Sequence, residues 1–228
     1  MPPTGQVRVT RRRAETRARL LEAAFEVFAA EGFGHSTIEA VCDRAGYTRG
    51  AFYSNFKDLD ELFFALYDDR SAVIAGQLGE ALAATGAVAE AADATLAELT
   101  ARVTGVLLLD RDWLLVKTEF LLHAARRPDV ARALADHRAV LHGAVAQRLS
   151  ELASRNRPLP PALADADSAA HAVIALYDGV TVQLLLDGDV DAARAWLGRL
   201  ITALLSSADT ATPTEATTPH PEESTHGR

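Results

Sequence analysis

The chain has 228 residues, 49% of them hydrophobic and 24% charged, with a net charge of −8. That is the composition of a soluble globular protein. Its one cysteine excludes an internal disulfide, and the lack of an uninterrupted run of about 18 apolar residues predicts no membrane span. Ala and Leu dominate and β-branched runs are few, which predicts an all-α fold. The charge is unevenly divided. Residues 1–57 carry nine Lys/Arg and six Asp/Glu, net +3, whereas residues 58–228 carry fourteen and twenty-five, net −11. Such a division suits a basic nucleic-acid-reading head on an acidic body. The N-terminus has arginines but no apolar core segment, so no signal peptide is expected and the cytoplasm is the default compartment.

Met1–Thr10 has no apolar pattern, and Arg8, Arg11, Arg12, Arg13, Arg17 and Arg19 follow with only Glu15 among them. Residues 1–13 are therefore expected to be a flexible basic arm that holds phosphates. A helix is predicted over Ala14–Glu31, with Ala18, Leu21, Phe25 and Phe28 inward and Gly32 and Gly34 ending it. Ser36 and Glu39 have the S-x-x-E spacing of a capping box, and Ile38, Val41 and Cys42 form the buried face of a short helix that Gly46 stops. Thr48 caps a second short helix containing Ala51, Phe52, Ser54 and Asn55 and closed by Phe56. Two helices joined by a glycine-containing turn make a helix-turn-helix, whose second helix enters the major groove. At its start Arg49 can bond guanine O6 and N7 together, worth about 1–3 kcal/mol of base discrimination. Gly50 and Ala51 let the backbone approach the bases. Tyr53, Ser54 and Asn55 offer hydroxyl and amide groups, and Lys57 offers a cation, for phosphates.

The stretch Ser36–Lys57 resembles the DNA-binding domain of TetR/AcrR-family transcriptional regulators. The resemblance is carried by Ser36-Thr37, Ala45-Gly46, Thr48, Gly50 and Tyr53-Ser54-Asn55-Phe56 and covers about residues 14–66. It implies that Arg49, Gly50, Ala51 and Ser54 face bases and that Thr37, Tyr53 and Asn55 hold phosphates. The pattern departs at Leu59, where many members have a lysine, and Lys57 is the residue placed to supply that contact.

Beyond the head, a long helix is predicted over Asp58–Leu82, with Leu59, Leu62, Phe63, Leu66, Val73 and Ile74 inward. A second follows over Val88–Leu109, with Leu96, Leu99, Val103 and Val106 inward, and a third over Trp113–Arg126. Pro128 ends the third, and Asp129 helps to start a fourth that runs to about Ser154. Asn156–Pro161 reads as a loop. Helices over Ala162–Asp187 and Val190–Leu205 are separated by Asp187-Gly188-Asp189. Apolar residues surround the first of this pair on nearly all sides, so it is buried on more than one face. Val173, Val180 and Leu184 with Leu197, Leu200, Ile201 and Leu204 are expected to form a homodimer interface. The other reading is that they close the monomer's core. Residues 208–228 are Thr/Pro/Glu-rich and are expected to be disordered.

The sequence contains no G-x-S-x-G, H-E-x-x-H, phosphate-binding G-x-x-x-x-G-K-[ST] or C-x-x-C. His137 and His142 fall on different sides of one helix, so no enzyme chemistry, no cofactor and no metal site are expected. The family resemblance implies instead a ligand cavity in the body. Trp113, Val116, Phe120 and His123 share one helix face, and Tyr177 and Thr181 share another. Together they give candidate pocket residues whose other reading is ordinary core.

The fold expected is all-α: a head over residues 14–57 containing a three-helix helix-turn-helix, then a helical ligand-binding and dimerisation body over residues 58–207. The expected function is a homodimeric repressor whose partners are a palindromic double-stranded DNA operator, a second copy of the chain and an unidentified small apolar effector. The alternatives are a regulator controlled by a protein partner and a helical carrier or enzyme with an incidental helix pair.

Overall fold

The computed structural model describes residues 4–88, 100–101, 104–105, 109–154, 159–160, 163 and 165–206. Among them are eight helices and no strand: α1 (Thr4–Glu31), α2 (Ile38–Ala45), α3 (Arg49–Tyr53), α4 (Leu59–Val88), α5 (Arg111–Ala125), α6 (Pro128–Ser154), α7 (Ala166–Asp187) and α8 (Val190–Ser206). The all-α expectation holds. Most of the helix expected over 88–109, most of the loop at 156–161 and the tail at 208–228 lie outside the described residues.

Helix α1 begins earlier than its apolar pattern. Residues 4–13, expected as an irregular arm, form its first turns. Its buried residues are Leu20, Leu21, Ala23, Ala24, Val27 and Phe28, with Phe25 half-buried against the same core, while Ala18 is exposed. The inward face thus keeps the expected Leu21, Phe25 and Phe28, loses Ala18 and is wider than the expected stripe. Helix α2 is capped one residue later than the S-x-x-E spacing suggested. Thr37 Oγ1 accepts from Ala40 N at 3.1 Å, and Ser36 Oγ donates to Gly32 O at 2.8 Å. Gly46, at φ 71°, ends α2 in the left-handed conformation.

A related reciprocal pair, with Glu61 reaching one residue beyond the cap Asp58, occurs at α4. Glu61 N donates to Asp58 Oδ1 at 2.8 Å while Lys57 N donates to Glu61 Oε2 at 2.7 Å, which fixes the start of α4. The side chains of Asp110, Asp165 and Asp189 likewise accept from main-chain N–H groups at the starts of α5, α7 and α8. In α6 the first position is Pro128, whose missing N–H would be unbonded there in any case.

Head and body share one hydrophobic core. It runs from Leu20, Val41, Phe52 and Phe56 through Phe33, Phe63 and Phe120 to Leu184, Leu197 and Ile201. Phe33 sits at the junction. Its ring lies 5.1 Å from Phe28, 4.8 Å from Phe120 and 4.7 Å from His123, measured between centroids. Phe63 and Phe120 stack behind it at 3.6 Å. The Phe33 N–H donates to Glu119 Oε2 of α5 at 2.6 Å. Gly32 enables this approach in two ways. Its φ is +79°, and a Cβ there would lie 2.9 Å from Glu119 Oε2.

Behind this junction α4, α5 and α7 pack around α6, and α7 packs on α8. Helix α7 is long and apolar enough to cross a membrane by length and composition. Here it lies between protein neighbours, and its one mid-helix charge is paired within them. Asp178 accepts from Lys117 Nζ at 3.0 Å and from Arg138 at 2.8 Å. Burial works to raise the Asp178 carboxyl, but the two cations overcome it and hold it below the ordinary carboxylate value. Burial in turn holds the Lys117 ammonium below its ordinary value.

Two outcomes test this architecture. Gly32→Ala should cost about 1–3 kcal/mol in urea unfolding. Gly34→Ala, where an added Cβ meets nothing within 4 Å, should stay within about 0.5 kcal/mol. For Asp178, the unfolded chain takes up the proton first as pH falls, so the stabilisation is present above the ordinary carboxylate value near 4 and is lost below it. Asp178→Asn should remove that acid-dependent component. Because the Asp178 side chain is 36% exposed, the loss at neutral pH should be about 1–3 kcal/mol, less than for a fully enclosed ion pair.

Candidate nucleic-acid interface

The exposed surface of the head is built on α2 and α3. Phe52 and Phe56 are buried beneath it, as are Val41 and Cys42. Burial raises the Cys42 thiol, as suits a packed small residue. Turning Phe52 inward turns Arg49, Gly50, Tyr53 and Ser54 outward, and all four are exposed. Thr48 Oγ1 accepts from Ala51 N at 3.3 Å and so caps α3, while its hydroxyl hydrogen remains available to a phosphate. Thr37 is in the same position at the start of α2.

Arg49 is held rather than free. Its guanidinium pairs with Glu39 of α2, donates to the Tyr53 hydroxyl at 3.3 Å and lies 5.8 Å from the Tyr53 ring centre. The bond to Tyr53, with Glu39 next, raises the guanidinium pKa further above its ordinary value. Glu39 is available because Thr37, not Ser36, caps α2. A base edge or a phosphate reaching Arg49 therefore competes with Glu39.

The other expected contacts divide. Lys57 is 81% exposed, with Asp58 at 3.4 Å. Arg11 and Arg12 are exposed along α1, and Arg13 donates to Ser54 O at 3.1 Å, joining α1 to the end of α3. Ser54 Oγ donates to Gly50 O and Asn55 Nδ2 to Ala51 O, each at 2.8 Å. Asn55 is half-buried and its Oδ1 has no partner. One of its two Nδ2 hydrogens goes to Ala51 O inside the head, which leaves one N–H for any further acceptor.

In the body, the six candidate pocket residues separate into two groups. Trp113, Val116 and Phe120 are packed core around Phe63. His123 belongs to the Phe33 junction. Its Nδ1 lies 2.8 Å from Arg127, and its Nε2 lies 3.0 Å from Asp60 without hydrogen-bond geometry. Tyr177 lies beneath Lys117, whose Nζ is 4.9 Å from the ring centre, and Thr181 Oγ1 donates to Tyr177 O at 2.8 Å. The residues that the helix-face pattern missed here are Arg138 and Asp178. The available signal was a lone aspartate among the apolar residues of 172–186.

Four of the seven expected dimer residues lie inside the chain's own core. Val180, Leu184, Leu197 and Ile201 are buried in the chain's own core, and Val173 and Leu200 pack against it. Leu204 is half-buried. The outward apolar residues are instead Val182, 55% exposed, Leu186, 78%, and Trp196, 47%. On α7 the exposed positions Ala175, Gly179, Val182 and Leu186 form one stripe, with small residues at one end and large at the other. Helix α7 is apolar on nearly every side, so spacing alone could not tell its inward face from its outward one.

Comparison with known proteins bears on the head and the body separately. A profile described as "Bacterial regulatory proteins, tetR family" matches residues 20–66, and one described as "BetI-type transcriptional repressor, C-terminal" matches residues 106–206. The HTH-type transcriptional regulator SrpR of Pseudomonas putida is 41% identical over 56 residues, which cover 25% of this chain and 26% of SrpR. That alignment therefore spans about a quarter of either protein. The HTH-type transcriptional repressor AcnR of Corynebacterium diphtheriae is 27% identical over 192 residues, covering 84% of this chain and 90% of AcnR. Among solved structures, the transcriptional regulator FadR from Bacillus subtilis, in complex with stearoyl-CoA, has the same fold. It matches with a TM-score of 0.63 at 17% identity, over 83% of this chain and 98% of FadR. A helix-turn-helix head with an outward-facing α3, joined to a helical body that the second profile matches, places this chain in the TetR family of bacterial DNA-binding transcriptional regulators.

Proposed function

We propose that the chain is a homodimeric repressor that reads a palindromic operator with Arg49 and is released by a small, largely apolar effector taken up by the body. The observation that carries the reading is Arg49 itself. It stands exposed at the first position of α3, between Glu39 and Tyr53, with Thr48 and Gly50 beside it. On this reading Arg49 exchanges the Glu39 carboxylate for a base edge. Gly50 admits the backbone, while Thr37, Thr48, Tyr53 and Lys57 hold phosphates. Two heads separated by one helical turn of DNA, or a multiple of it, require a two-fold partner. The outward stripe Ala175, Gly179, Val182 and Leu186, with Trp196 on α8, is the surface offered to it. The Phe33–Glu119 junction supports control by an effector, because a shift of α5 pulls on the turn that leads into α2. Only an effector that prefers the shifted body lowers DNA affinity, and only by that preference.

The reading head is tested by fluorescence anisotropy against the DNA upstream of the gene, titrated with salt. Affinity should fall with a slope of about −0.9 per phosphate neutralised. Arg49→Ala should relax base preference at one position by about 1–3 kcal/mol, whereas Tyr53→Phe should weaken all sequences alike. Glu39→Ala should tighten binding, since Arg49 then has no carboxylate to leave, with little change in stability because the pair is exposed. Unchanged base preference in Arg49→Ala would remove Arg49 from the reading role. The interface is tested by sedimentation: Val182→Glu/Leu186→Glu should run as a folded monomer with weakened operator binding. A dimer that survives this double change would place the interface elsewhere.

A further inference from the structure

The fold brings together two histidines that the sequence keeps 29 positions apart. His142 of α6 and His171 of α7 face one another with His142 Nε2 2.8 Å from His171 Nδ1. Asp167 stands one turn before His171 on α7. Its carboxylate oxygens lie 3.6 Å from His142 Nδ1 and 3.6 Å from His171 Nδ1. Its main-chain oxygen is 3.3 Å from His142 Nε2 and 3.1 Å from His171 Nδ1. One donor atom from each of the three side chains lies within 4.8 Å of the others.

From this convergence we infer a binding site for a divalent transition metal ion, Zn2+ foremost, formed by His142, Asp167 and His171. The chemistry is that of lone pairs. Two neutral imidazoles carry one proton each, and the Asp167 oxygens carry none, so the cluster presents more acceptors than it can satisfy with its own hydrogens. A cation satisfies several at once. Metal–ligand bonds of about 2.0–2.2 Å at tetrahedral angles place ligand atoms about 3.3 Å apart, and the three donor atoms, within 4.8 Å of one another, reach that spacing by small rotations of the exposed Asp167 and His171 side chains. Two imidazoles and one carboxylate select Zn2+, Co2+ or Ni2+ over Mg2+ and Ca2+, which take oxygen ligands.

The scaffold is already built. Asp167 and His171 occupy adjacent turns of one helix, at i and i+4. The side chain of His142 is only 16% exposed, so its position is set by packing. Nearby, Ala169 and Ala170, both fully buried, pack with Leu149 and Val145 and hold α7 close to α6. Asp167 and His171 are 71% and 70% exposed, which gives the ion an entry path and leaves its fourth position to water. Bound there, the ion would staple α6 to α7 at the N-terminal end of α7. The inference is independent of the operator reading, since none of the three residues belongs to the head.

The test is calorimetric titration of Zn2+ into the chelator-treated full chain, with Mg2+ as comparison and Co2+ visible absorption as a second readout. The expected result is one Zn2+ per chain, a higher thermal midpoint with Zn2+ and no response to Mg2+. His171→Gln and Asp167→Asn change exposed side chains and should leave the apo midpoint unchanged. Each should weaken Zn2+ binding by more than the roughly 10–100-fold that loss of a group supporting a ligand costs. His142→Gln should do the same, with the Co2+ band lost. His220→Gln/His226→Gln, in the C-terminal tail, should bind as the parent does. Zn2+ uptake unaltered in His171→Gln, or lost only in the tail variant, would overturn the site.

Discussion

Within the core that head and body share, a hydrogen bond and a ring at Phe33 join the DNA-binding head to α5. The main-chain N–H of Phe33 is held by the Glu119 carboxylate, and the Phe33 ring is enclosed by Phe28, Phe63, Phe120 and His123. The turn that carries these groups leads directly into α2. The position of the helix-turn-helix is therefore referred to α5 as well as to α4, on which α1 also packs. A buried aromatic cluster is close-packed and resists gradual deformation. Displacement of α5 must be passed on or resisted, and this is the mechanical condition for a body to act on a head. Gly32 makes the close approach feasible, being both left-handed in φ and without a side chain to meet Glu119.

A second constraint is electrostatic and local. The body is strongly acidic, yet the carboxylate that matters most to the head is its own Glu39. By pairing with Arg49 it neutralises the cation at the start of α3 and orients the guanidinium along that helix. An exposed pair of this kind contributes little to stability. In the proposed reading its effect is on what DNA must displace.

Much of this arrangement was legible in the sequence. The glycine and threonine positions around 46–48 fixed the two short helices, because a left-handed stop and an oxygen cap are short-range requirements. Arg49, Tyr53 and Phe52 fell on the outward and inward sides as their spacing required. Other features depended on partners distant in the chain. The cap of α2 moved to Thr37 because Ser36 found Gly32 O. Asn55 turned inward to the carbonyl of Ala51. Val180, Leu184, Leu197 and Ile201, expected at a dimer interface, are buried in the chain's own core, since a helix apolar on all sides has no periodicity with which to mark its face. Trp113 and Phe120 packed against Phe63 from α4, and Tyr177 joined a charge cluster that includes Arg138 of α6. The approach of His142 to His171 depends on the packing of α6 on α7, which no local pattern encodes.

The division of the head into a buried and an exposed face has a further consequence. Val41, Cys42, Phe52 and Phe56 hold α2 and α3 together from within, while Thr48, Arg49, Gly50 and Tyr53 make no part of that core. If the outer side reads DNA as proposed, substitution there alters which DNA is recognised at little expense to folding, and substitution on the inner side does the reverse. Operator preference can therefore diverge among descendants of this chain while the scaffold and its link to α5 are inherited unchanged. A duplicated gene would need only a few exposed replacements to serve a different promoter.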